Sequence, residues 1–121
     1  MVIEFAIPGL RIRSAQNLRE FWATKARRVA QERRCVAAGI MAAGASRTLR
    51  AMADKGPPFS LALTRISPRS VDPDNCVSGF KATVDQLALT LRVDDADPEV
   101  LRVLYLQEKG PIGVRIKVNC G

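Results

Sequence analysis

The stretch that decides the fold is Asp72-Pro73-Asp74-Asn75-Cys76-Val77-Ser78-Gly79-Phe80-Lys81-Ala82-Thr83-Val84-Asp85-Gln86-Leu87-Ala88-Leu89-Thr90-Leu91. At 100° per residue, Val77, Phe80, Val84, Leu87 and Leu91 step by 3, 4, 3 and 4 and line one apolar stripe. Asp74, Ser78, Lys81 and Asp85 form a second, polar stripe about 120° away. Asp72 or Asp74 suits a cap, and Pro73 is tolerated in a first turn. The spacing predicts one helix over Pro73–Leu91, with its apolar stripe against a sheet.

The sheet is expected on either side of it. Upstream, Phe59–Ile66 reads as a strand, with Phe59, Leu61, Leu63 and Arg65 on one face. Lys55-Gly56-Pro57-Pro58 is a firm break before it. Ser67–Asp72 is a polar loop. Downstream, Val93–Pro98 is an acidic loop. Val100–Gln107 and Ile112–Val118 read as strands, joined as a hairpin through Glu108-Lys109-Gly110-Pro111. At the start, Val2–Ile7 is a short strand ending at Pro8-Gly9. Ser14 to about Gly39 has helix character, with Ser14 or Asn17 as cap and Leu18, Phe21, Trp22, Val29 and Val36 toward a core. Residues 40–53 continue that helix, bend at Gly44 or start another. The order is β-α-β-α-β-β: an α+β fold, one small domain over residues 1–121, with a mixed sheet of about four strands and two main helices.

Composition narrows the chemistry. The chain has 121 residues, 47% apolar and 26% charged, which suits a folded domain rather than a disordered one. There is no His, so no Ser-His or Cys-His pair and no imidazole ligand. Cys35, Cys76 and Cys120 match no zinc pattern and no disulfide framework, which points to a reducing, cytoplasmic setting. No apolar run is long enough for a membrane span, and Met1–Arg13 does not fit a signal peptide.

The net charge of +7 is unevenly placed. Residues 1–56 hold 11 basic and 4 acidic side chains, whereas residues 57–121 hold 8 of each. The basic half suggests a grip on a polyanion, with Arg11, Arg13, Lys25, Arg27, Arg28, Arg33 and Arg34 as candidates. The plainer alternative is a solvated helix face, although only Glu20 and Glu32 oppose the cations there. The second half holds six of the seven Asp residues. Asp72 and Asp74, joined by a carboxylate from the Asp94-Asp95 loop, have the character of a Mg²⁺ or Mn²⁺ site, with Lys81 close by. Asp94 and Asp85 stand in reach as further ligands. The structural alternative is equally concrete: Asp before a helix caps it, and Asp-Asp in a loop makes a turn. Trp22 is read as core rather than a stacking platform. Ser78 with Lys81 is a weak candidate nucleophile pair, since no oxyanion hole accompanies it.

Arg69-Ser70-Val71-Asp72-Pro73-Asp74-Asn75, Lys81 and Asp85 in the helix, Val93-Asp94-Asp95-Ala96, and Lys109-Gly110 before the last strand together resemble the RusA-type Holliday junction resolvases of phages and prophages. That family carries a D-x-D-N motif opening a helix, an internal Lys, a D-D pair and a late K-G turn. The resemblance covers about residues 59–118. It implies a Mg²⁺-dependent endonuclease that binds four-way DNA junctions as a homodimer and nicks two strands. Asp72, Asp74 and Asp95 would hold the metal, Lys81 would be the supporting cation, and Arg69 and Lys109 would contact DNA. No membrane or small-molecule cofactor is implied. One position departs: Ser78 stands where the family has its Lys, and Lys81 follows one turn later. That departure motivates the alternative, a non-catalytic basic nucleic-acid-binding protein of phage origin. A phage structural or assembly protein is a third reading, with no positive feature behind it.

Overall fold

The structure is a computed structural model, and it describes residues 1–13 and 21–121. The expected start of the basic helix, with Ser14 or Asn17 as cap and Leu18 and Arg19 following, lies outside the described residues. The elements run β1 (Val2–Pro8), α1 (Trp22–Ala42), α2 (Ser46–Lys55), β2 (Phe59–Ile66), α3 (Pro73–Gly79), α4 (Lys81–Leu91), β3 (Leu101–Glu108) and β4 (Gly113–Cys120). They form the expected α+β arrangement around a four-stranded mixed sheet of order β1-β4-β2-β3.

Alternation in the strands sets the two faces of the sheet. Phe5, Ile7, Phe59, Leu61, Leu63, Leu101, Val114, Ile116 and Val118 are buried on the helix-bearing face, against Val36, Ile40, Leu49, Met52, Phe80, Leu87 and Leu91. This single apolar cluster joins both halves of the chain. Four of the five residues of the expected α3–α4 stripe are in it; Val77 is exposed instead.

Three expectations are corrected. The hairpin between β3 and β4 does not form. β3 is parallel to β2 (Phe59↔Leu101 to Ile66↔Glu108), while β4 is antiparallel to β2 and to β1. The chain after β3 crosses the end of β2. Ser67 N–H donates to Glu108 O (3.1 Å) and Gly110 N–H donates to Ser67 O (3.3 Å), tying that crossing down. The α3–α4 crossover delivers β3 parallel to β2, and β4 enters on β2's other side, where β1 and β2 flank it on both edges.

The single helix over Pro73–Leu91 is two segments, broken at Phe80 (φ −84°, ψ 0°). A Cβ on Gly79 would lie 2.6 Å from Ile12 Cγ2, so the segment carrying Ile12 and Arg13 passes against the joint where only glycine admits it. Gly79→Ala is therefore expected to lower stability by about 1–2 kcal/mol, overpacking outweighing better helix propensity. Thermal and urea unfolding check this; an unchanged or raised midpoint refutes it.

Phe21 and Trp22 are not core. They are 66% and 74% exposed and touch each other at a tilt of 45°, with ring centroids 5.5 Å apart. The buried residues of α1 are Val36 and Ile40, so its packing is concentrated toward its C-terminal part. Of the alternatives for residues 40–53, a second helix after a turn at Gly44 (φ +71°) is the one observed.

Candidate functional site

The site is built from the loop after β2, the α3–α4 joint and the loop before β3. Gln107 fixes the first of these. Val71 N–H donates to Gln107 Oε1 (2.9 Å), and Gln107 Nε2 donates to Val71 O (2.8 Å). Arg65 Nη1 donates to Arg69 O (2.7 Å), bracing the same loop. Asp72 and Asp74 follow directly, both exposed. Asp72 occupies the N-cap position of α3, yet its side chain makes no capping hydrogen bond. Neither carboxylate has an ion-pair or hydrogen-bond partner among the described residues, so the capping alternative is not realised by either.

Lys81 opens α4. Its Nζ lies 2.9 Å from Asp95 Oδ2 and 3.0 Å from Asp85 Oδ1. The hydrogen bonds to Asp95 and then Asp85 push the Lys81 pKa up. The Lys81 hydrogen bond, foremost, holds the Asp95 carboxyl below its ordinary value. Asp94 serves the loop itself: its Oδ1 accepts from Ala96 N–H (2.9 Å), the turn role weighed for it. Among the described residues, no group of three His, Cys, Asp or Glu side chains is arranged to hold a metal ion.

The Lys81–Asp95 pair has a pH signature. Asp95 is depressed in the folded state, so its contribution is present above the unfolded carboxylate pKa and is lost as pH falls through the folded value. Lys81 is raised, so its contribution is present below the unfolded lysine pKa and lost as pH rises through the folded value. The pair stabilises across the neutral range. Because Lys81 is mostly exposed, the contribution is at most about 1 kcal/mol. Comparing Lys81→Met with the wild type across pH should show a difference that shrinks below about pH 4. A difference that stays constant through the acid limb excludes an ionic role for the pair.

Lys81 and Asp95 line a cavity of about 530 Å³ with Arg13, Lys25 and Arg28, cations read from the basic half. Val77, Ala82, Val84, Val103 and Tyr105 also border it. Burial, above all, pushes the Tyr105 hydroxyl pKa up. Arg13 also borders a neighbouring cavity of about 460 Å³, which Arg11 and Asn75 share. A larger groove of about 910 Å³ lies between β1 and α1. Glu32 lines both this groove and the 530 Å³ cavity, and Lys81 and Asp95 line the latter alone, so the 530 Å³ cavity is the better candidate for chemistry on a phosphodiester.

The contacts of the basic candidates, those of the cavity included, are spread. Arg33 Nε donates to Gln86 Oε1 (3.3 Å), joining α1 to α4. Arg28 pairs with Glu32 at 3.1 Å. Arg27 Nε donates to Ala23 O (3.4 Å). Lys25, Arg34, Arg69 and Lys109 are exposed. Sequence reasoning missed Gln107 and Tyr105. The available signal was parity: both are polar groups at inward positions of an otherwise apolar strand.

Comparison of the sequence with models of known protein families gives no match, and none of the curated proteins is significantly similar. The alternatives are therefore weighed on residues and geometry.

Proposed function

We propose that the chain is a metal-dependent, structure-selective endonuclease acting on branched DNA, of the kind the D-x-D-N and D-D motifs resemble. The observation that carries this reading is the shared cavity, where Arg13, Lys25 and Arg28 meet Lys81 and Asp95. Charges from distant parts of the chain converge there, with Asp72 and Asp74 on the segment leading into the same α3–α4 unit.

By donor chemistry Asp72 and Asp74 suit a hard divalent cation, Mg²⁺ or Mn²⁺: they are carboxylates, exposed and not spent on capping. Asp95 joins them only on leaving Lys81. Such a cation, when bound, supplies a nucleophile at neutral pH and offsets charge on the phosphodiester. Arg13, Lys25 and Arg28 hold backbone phosphates and orient the strand. Lys81, once a phosphate competes for it, transfers its charge from Asp95 to the substrate and frees that carboxylate. Two copies, one per nick, give symmetrical cleavage of a four-way junction.

A specific observation favours the second reading, a basic nucleic-acid-binding protein without catalysis: Asp95 is ion-paired with Lys81. A nicking assay separates the two. With Mg²⁺, a four-way junction is cut and linear duplex is not if the nuclease reading holds. Tight, salt-sensitive junction binding with no nicking in Mg²⁺ or Mn²⁺ establishes the second.

A further inference from the structure

β3 is an edge strand, and its sequence is complementary to itself reversed. Among the described residues β2 is its sole strand neighbour. Its outer-face row runs Arg102, Leu104, Leu106, Glu108: a cation, two leucines and an anion at alternate positions. Leu104 is 58% exposed and Leu106 43%, on the sheet face that no described helix covers. A strand edge of this kind, with no proline and two exposed leucines, is what folded proteins ordinarily blunt or pair.

The backbone sets a register. Val100 O accepts from Phe59 N–H (2.8 Å) and Glu108 O accepts from Ser67 N–H (3.1 Å), so the even-numbered residues of β3 face β2. Val103, Tyr105 and Gln107 therefore turn their backbone N–H and C=O groups to the free edge, where they have no partner among the described residues. A two-fold axis at Tyr105 sets Tyr105 opposite its own copy and Val103 opposite Gln107. All are edge-facing residues, as the hydrogen-bonded pairs of an antiparallel ladder require. The same axis sets Leu104 opposite Leu106 and Arg102 opposite Glu108. Hydrogen-bond direction, apolar contact and charge agree on one register. β1, the other edge, lacks this match: reversed about Phe5, it sets Glu4 against Ala6 and Val2 against Pro8, which has no N–H to give.

We propose that a second copy of this chain pairs antiparallel along the free edge of β3, about a two-fold axis at Tyr105, giving a continuous eight-stranded sheet. The interface is isologous and closes on itself, so it ends at the dimer. The nuclease reading calls for a dimer, but this surface is carried by β3 alone.

Sedimentation of the full chain over about 1–100 µM tests it. The wild type is expected to be dimeric. Leu104→Glu with Leu106→Glu should raise the dissociation constant by at least about 100-fold, since four carboxylates then meet at the centre. Both leucines are exposed, so the far-ultraviolet circular dichroism of the variant should match the wild type, while its melting temperature should lose the concentration dependence a dimer confers. A second measurement fixes the register. In a Cys35→Ser background, Leu104→Cys chains mixed with Leu106→Cys chains should form a disulfide dimer on mild oxidation. Either chain alone should not, because the like pair is diagonal and out of disulfide reach. A monomer at 100 µM, a dimer indifferent to the two glutamates, or equal cross-linking in the unmixed samples overturns the proposal. A dimer of this register that nicks no DNA supports it and sinks only the nuclease reading. A nicking monomer does the reverse.

Discussion

Asp74→Asn is expected to abolish the proposed Mg²⁺-dependent nicking of a four-way junction, by at least about 10³-fold, and to leave junction affinity within about twofold. A carboxamide keeps the size and most of the polarity of the side chain but loses the anionic oxygen a hard cation needs. Removing one ligand from a site with few of them costs most of the transition-state stabilisation the metal supplies. Binding is expected to survive because the cations proposed to grip phosphate are other residues, Arg13, Lys25 and Arg28, which line the cavity. Fold is expected to survive because Asp74 is exposed and holds no ion pair or hydrogen bond to another described residue. Paired gel-shift, nicking and thermal-melt measurements on the same preparation read all three. Parallel loss of binding, cleavage and melting temperature would make Asp74 a structural residue; undiminished cleavage would remove it from the site.

Junction affinity is expected to fall by about 10³–10⁵ between 50 and 200 mM salt if 6–10 phosphates are contacted. The magnitude follows from counterion release, which depends on how many phosphates are neutralised and not on base sequence. The chain has the charge for it: a net +7, all of it contributed by residues 1–56. Lys25→Ala should then lower the slope of log affinity against log salt by about one and weaken binding to all sequences alike. Fluorescence anisotropy over a salt series measures both. A flat response sinks the nuclease and the nucleic-acid-binding readings together, since each needs the phosphate grip.

How far the site was legible differs by residue. Lys81 and Asp85 lie four apart on a helix, so their contact follows from helical geometry. Asp95 at 2.9 Å from Lys81 is not a matter of spacing, because the loop after α4 has to fold back past the helix to bring it there. Asp72 and Asp74 were expected beside Asp95; in the structure they have no partner among the described residues, while Asp95 is held by Lys81. Arg33 illustrates the limit for the basic helix. Its charge suggested a phosphate contact, and its position against α4 gives it a hydrogen bond to Gln86. Phe21 and Trp22 were read inward on hydrophobicity. Whether an apolar side chain is buried depends on what lies opposite, and the packing of α1 is carried further along, by Val36 and Ile40.

The sequence by itself determined the fold class, the approximate strand positions, the break at Gly56-Pro57-Pro58, and the buried face of α4; the turn at Gly44 was one of three alternatives it left open. These rest on periodicity, backbone freedom and ring constraint, which act over a few residues. Only the tertiary structure decided that β4 inserts beside β2 in place of a hairpin with β3. It also decided that the helix over Pro73–Leu91 divides at Phe80, and that Arg13, Lys25 and Arg28 share a cavity with Lys81 and Asp95. Strand order and cavity lining depend on which surfaces bury one another across the whole chain. The pattern of β3 belongs to both: Arg102, Leu104, Leu106 and Glu108 are plain in the sequence, but their self-complementarity acquires meaning only once β3 is seen to be an edge.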